Sequence, residues 1–141
     1  MILISACLVG LNCKYNGKNN YNEKAFKLIK EGKAIPVCAE QLGGLKTPRT
    51  PAEIKVIDNK TYVIDKEGND VTEQFFKGAN EVLQLAKKLN VEKVVLQSRS
   101  PSCGIGQIYN GEFSGQLVPG NGVLAQLLID NGIEVVDIEE L

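Results

Sequence analysis

Three short apolar runs, residues 1–6, 33–37 and 91–97, each give way to an irregular, glycine-bearing loop that contains a cysteine: Cys7, Cys38 and Cys103 respectively. Runs of this length, bounded by turn-forming residues, read as buried strands. Helical patterns stand between them, and the returns from helix to strand are short: Gly32-Lys33, Asn90 and Asn131-Gly132. Strands alternating with helices specify βαβ units and a parallel sheet. All carboxyl ends of a parallel sheet lie on one edge, so three cysteines distant in sequence are expected to meet there. Ligands in open α/β sheets bind at that edge, which makes the loops that leave it the place to look for chemistry.

The elements follow from local signals. Asn22 caps a helix running through Glu31, with Ala25, Phe26, Leu28 and Ile29 inward and Gly32 as its left-handed stop. Residues 39–52 lack periodicity and carry Gly43-Gly44 and two prolines flanking Arg49, the composition of a functional loop. Residues 53–57 and 60–64 alternate about Asp58-Asn59, a β-hairpin expected to flank the site. Asp70 and Glu73 suggest a capping box for a helix ending near Leu89, with Val71, Phe75, Ala79, Val82, Leu83 and Ala86 facing the core. Asn110-Gly111 predicts a tight type I′ hairpin pairing residues 107–109 with 112–114. Asn121 is placed to cap a helix over residues 122–130, and residues 133–138 form the last strand.

At 141 residues the chain suits one domain able to bury a core without staples. Net charge is −1, with both signs interspersed, so no basic footprint for a nucleic-acid polymer is present. The apolar start is too short for a signal peptide or a membrane span, and a cytoplasmic protein with no membrane partner is expected. No histidine occurs, which excludes His-based triads and leaves acid–base work to carboxylates, Lys, Tyr or Cys. The four cysteines read as reduced thiols or metal ligands. Zinc normally completes four ligands from paired knuckles, a redox disulfide favours C-x-x-C, and neither pattern is present. An iron–sulfur cubane takes one thiolate per iron, so three thiolates would leave one iron open to a soft substrate atom. Glu40, two residues beyond Cys38, and Ser102, beside Cys103, stand where an acid–base group and a substrate hydrogen bond would be needed. Arg49 is placed either to contact a substrate carbonyl or phosphate or to brace its loop by pairing with Glu53. Two further readings use the same residues differently: a non-catalytic iron–sulfur or thiol module that senses oxidation, and a small-molecule binder in which Gly120-Asn121-Gly122 cradles an anion.

Ser5-Ala6-Cys7-Leu8-Val9-Gly10, Pro36-Val37-Cys38-Ala39-Glu40, Leu42-Gly43-Gly44-Leu45, Thr47-Pro48-Arg49, Pro51-Ala52-Glu53-Ile54, Asp70-Val71-Thr72 and Ser100-Pro101-Ser102-Cys103-Gly104 together resemble the TudS-like thiouracil desulfidases, and the resemblance spans nearly the whole chain. It implies a single-domain, three-layer Rossmann-like α/β fold over residues 1–141, its sheet mainly parallel, with helices on both faces and added hairpins. It also implies a [4Fe-4S] cluster on Cys7, Cys38 and Cys103, catalytic roles for Glu40 and Ser102, and an unligated Cys13. The implied reaction is redox-neutral: a thiocarbonyl of a thiolated pyrimidine base, nucleoside or nucleotide becomes a carbonyl, with release of hydrogen sulfide. Two departures from the family pattern stand out. Ala39 replaces a proline between Cys38 and Glu40, and Lys14-Tyr15-Asn16-Gly17 stands where Arg-Tyr-Asp-Gly is usual.

Overall fold

A computed structural model describes residues 1–141. Its central sheet has four strands, β1 (Ile2–Ser5), β2 (Ala34–Val37), β5 (Val94–Leu96) and β8 (Val135–Asp137), in the order β2-β1-β5-β8, all parallel. Alternate residues face opposite sides of the sheet. Leu3, Val94 and Leu96 join the larger core with the long helix α3 (Thr72–Leu89) and with α4 (Val123–Asp130). Ile2, Ile4 and Val95 point the other way, onto Ala25 of α1 (Glu23–Lys30) and Ile138 of the terminal 3-10 turn. The expected three layers, with helices on both faces, are therefore present. β2 is an outer strand. Because Ile2 N donates to Lys33 O, the odd-numbered residues of β2 bond toward β1, and Pro36 stands where an N–H would face outward.

Two hairpins flank the sheet. β3 (Ala52–Ile57) and β4 (Lys60–Asp65) turn at Asp58 and Asn59, both at positive φ (50° and 62°), the tight turn expected. The second hairpin departs from expectation: β6 (Gln107–Tyr109) pairs with β7 (Leu117–Pro119), not with residues 112–114. The side chain of Glu53 reaches across from β3 and accepts the N–H groups of Gly111 and Phe113 through one oxygen, at 2.9 and 3.1 Å. That capture holds residues 110–116 as a wider loop and overrides the local Asn-Gly signal.

Helix ends repeat this mixture. Asn22 Oδ1 accepts from Ala25 N as expected for a cap. Asp70 instead accepts the backbone N–H and the hydroxyl of Thr72, which hold its carboxyl below the usual carboxylate range, and no capping box with Glu73 forms. Asn121 does not cap α4 either. Gly122 occupies that position, and Asn121 Oδ1 takes the N–H of Gly106 at 2.8 Å. The stretch expected to be an aperiodic, functional loop after β2 begins with a short helix, α2 (Ala39–Leu42). It lies directly on α3: a methyl group at Gly43 would overlap the Gln74 carbonyl, and one at Gly78 would overlap the Ala39 carbonyl. This close backbone contact seats Cys38 and Glu40.

Candidate active site

The strand order places the reversal of direction at β1, whose carboxyl end adjoins that of β5. A cavity of about 450 Å³ opens at this edge, and its walls include Cys7, Cys13, Cys38, Glu40, Ser102 and Cys103. The three strand-end cysteines thus share one cavity, as expected, although each is presented differently. Cys7 lies in a 3-10 turn (Ala6–Val9) that continues from β1. Cys38 is the residue from which α2 starts. Cys103 lies in a turn closed by the Ser100 hydroxyl, which accepts Cys103 N–H at 2.7 Å. The Ser102 carbonyl accepts from Leu124 N and Ala125 N at 2.9 and 3.2 Å, and Val123 N donates to Pro101 O at 2.8 Å. The start of α4 is thereby engaged by the Ser-Pro-Ser-Cys turn. Gly120 N and Gly122 N donate to Gly106 O and Gly104 O, so two of the three backbone donors of the anion cradle considered at Gly120-Asn121-Gly122 are already taken.

The polar side chains form a chain of contacts across the cavity wall. Ser102, 3% exposed, donates its hydroxyl to Glu40 Oε2 at 3.1 Å. Arg49 Nε donates to Glu40 Oε1 at 3.0 Å. The other guanidinium nitrogens donate to Lys46 O, Thr47 Oγ1 and Cys13 O, at 3.1, 3.0 and 2.8 Å. The Arg49 side chain is only 9% exposed, and it braces Glu40 rather than Glu53. Arg49 also lines the cavity, with its guanidinium already on the Glu40 carboxylate. Arg49 N donates to Tyr15 O at 2.7 Å, which ties the loop after β1 to the same hub.

The thiol environment is distinctive. Burial first, then the charges of Glu40 and Cys38, push the Cys103 thiol up to about 12, against the opposing hydrogen bond from Ser5. Contact with Cys13, then burial, push the Cys38 thiol up, and the Gln41 N–H works in the other direction. Cys13 is buried and lies within side-chain reach of both Cys38 and Cys7. Its bond with Cys38 favours the thiolate, but the bond with Cys7 and burial outweigh it, raising the group to about 11.

Sequence reasoning passed over two residues at this edge. Ser5 is a buried polar residue between Ile4 and Ala6, signalled by that break in an apolar run and by its place at the head of the Ser5-Ala6-Cys7 stretch. Asn20 was one of many turn-formers in its loop and carried none.

Comparison with known proteins finds likeness along nearly the whole chain. The family described as 2-thiouracil desulfurase matches residues 2–140. YbbK, an uncharacterised protein of Bacillus subtilis, is 46% identical over 147 residues, covering 100% of this chain and 97% of its own. A solved structure described as the [4Fe-4S]-dependent thiouracil desulfidase TudS is 38% identical, with a TM-score of 0.91 over 99% of this chain and 91% of that one.

Proposed function

This chain belongs to the 2-thiouracil desulfurase family, and from that premise we propose that Cys7, Cys38 and Cys103 hold a [4Fe-4S] cluster while Glu40 and Ser102 carry the proton transfers of a thiocarbonyl-to-carbonyl exchange. The chain is an enzyme of the thiouracil desulfidase kind. The observation that carries the site assignment is the meeting of three strand-end thiols and the Arg49–Glu40–Ser102 chain around one cavity.

The donor set fits an iron–sulfur cluster. The cavity offers thiols and no imidazole, the soft donors that such clusters take. Held by three thiolates, the cluster would supply an iron free to accept a thiocarbonyl sulfur as a Lewis acid.

The chain's own residues then have distinct tasks. Because the Ser102 hydroxyl donates to Glu40, its lone pairs remain to accept a hydrogen bond, which suits a pyrimidine ring N–H. Arg49 fixes one oxygen of Glu40, leaving the other to exchange protons with Ser102 or with water. Water adds at the ring carbon, Glu40 takes one of its protons and returns it to the departing sulfur, and the second proton leaves the new hydroxyl as the carbonyl forms and completes hydrogen sulfide. The balance is a thiocarbonyl plus water giving a carbonyl plus hydrogen sulfide, with no change of oxidation state. Thiolated pyrimidine bases, nucleosides or nucleotides are the substrate class. We assign the whole activity to one domain, residues 1–141, in the cytoplasm, where four free thiols stay reduced. No helix is long and apolar enough to cross a membrane.

Anaerobic reconstitution with iron and sulfide tests the proposal. The expected result is brown protein with four irons per chain by the cubane's own stoichiometry, releasing sulfide from 2-thiouracil. Cys38→Ala and Cys103→Ala should lose iron. Glu40→Gln should keep iron and lose turnover by about 10³-fold. Colourless wild-type protein would overturn the cluster assignment, and brown protein inert toward thiolated pyrimidines would favour the oxidation-sensing reading.

A further inference from the structure

Two of the proposed ligand sulfurs receive a hydrogen bond from a neighbouring side chain. Ser5 Oγ donates to Cys103 Sγ at 3.4 Å, and Asn20 Nδ2 donates to Cys7 Sγ at 3.6 Å. The direction of the first bond is fixed by the fold. Ser5 Oγ accepts the N–H of Gln97 at 3.0 Å, so its single proton is left for the sulfur. Ser5 is the last residue of β1, 4% exposed, and its side chain bridges to Gln97, the residue after β5. Asn20 is held independently of its side chain, because its own N–H donates to Cys7 O at 2.9 Å and Asn22 N donates to Leu8 O at 2.9 Å. Its amide therefore lies against the turn that carries Cys7.

A donor aimed at a ligating sulfur withdraws electron density from it and favours the more negative, reduced form of a cluster. The same withdrawal makes an open iron a better acceptor for a soft substrate atom. We propose that Ser5 and Asn20 tune the cluster through Cys103 and Cys7, raising its reduction potential and strengthening the iron's hold on sulfur. The inference rests on the three-cysteine ligation proposed above. It gives a second task to a buried hydroxyl that already accepts the Gln97 N–H.

The test compares wild type, Ser5→Ala, Ser5→Thr and Asn20→Ala after anaerobic reconstitution, reading iron and labile sulfide per chain and the potential by EPR-monitored redox titration. Ser5→Ala should load fully yet show a reduced-to-oxidised ratio about tenfold lower at a fixed potential, equivalent to about 59 mV for one electron. Ser5→Thr, which keeps the hydroxyl, should return the wild-type value. Asn20→Ala should shift in the same direction by about threefold, and because its loop keeps its backbone bonds it decides the matter if Ser5→Ala fails to fold. Fully loaded variants with an unmoved potential would overturn the tuning role and leave the ligation standing. A wild type that takes up no cluster would overturn both.

Discussion

The two edges of the central sheet are built by different rules. At the amino edge, all three helix-to-strand returns close with the same pair of backbone bonds. Gly32 N and Lys33 N donate to Ile29 O and Leu28 O; Asn90 N and Val91 N to Lys87 O and Ala86 O; Gly132 N and Ile133 N to Ile129 O and Leu128 O. Each is a Schellman closure about a left-handed residue, at φ 70°, 52° and 73°. Everything such a turn needs lies within six residues of sequence. At the carboxyl edge the decisive bonds join distant segments: Arg49 to Cys13, Glu40 to Ser102, Ser5 to Gln97, separated by 36, 62 and 92 positions. One edge closes the fold with local parts, and the other assembles chemistry from non-local ones. The difference predicts where substitutions damage function and where they only lower stability.

The largest effect is expected at Gly122, where a methyl would run into the backbone of Ser102 and Cys103. Gly122→Ala should lower stability by about 3 kcal/mol and abolish iron retention, as read by urea unfolding and iron analysis. Arg49→Leu comes next. It leaves the Glu40 carboxylate, only 18% exposed, without its counter-charge. The expected losses are about 2 kcal/mol of stability and about 10²-fold in turnover. Arg49→Lys should recover stability better than turnover, because an ammonium cannot reproduce the fork that also holds Cys13 O.

A third test uses pH on the cluster-free protein. The Cys103 thiol rises from its ordinary 9.0 to about 12 in the fold, so the native state keeps a proton that the unfolded state releases. Its contribution is fully present below pH 9.0 and is lost as pH climbs toward about 12. Urea midpoints should fall over that window, and Cys103→Ala should make the fall shallower, with the remainder carried by Cys38 and Cys13. The smallest effect belongs to the amino edge. Gly32→Ala places a methyl in open space at φ 70°, costing about 1 kcal/mol of stability with iron content and turnover unchanged. A loss of iron there would break the comparison.

The same division explains what could be read before folding was known. Strand ends, the α3 core face and the stops at Gly32 and Asn131-Gly132 were legible because each signal is periodic or local. The convergence of Cys7, Cys38 and Cys103 on one cavity was legible through topology, since parallel strands leave no other place for their ends. The partner of Arg49 was not: the sequence pointed to Glu53, four positions on, whereas the seating of α2 on Gly78 holds Glu40 within reach. Asn110-Gly111 misled for the converse reason: a strong local signal was overridden by Glu53, 58 positions away from Gly111. α2 escaped notice because four residues are too few to show a period.

Pro36 carries a consequence for the molecule among its neighbours. The outer strand that leads to Cys38 would otherwise present a row of open backbone groups, the template on which misfolded chains stack strand on strand. With a ring in place of the outward N–H, that row is interrupted two residues before the thiol. A crowded solution of this protein should therefore resist fibrillar growth from the very border of the sheet that bears its most reactive chemistry.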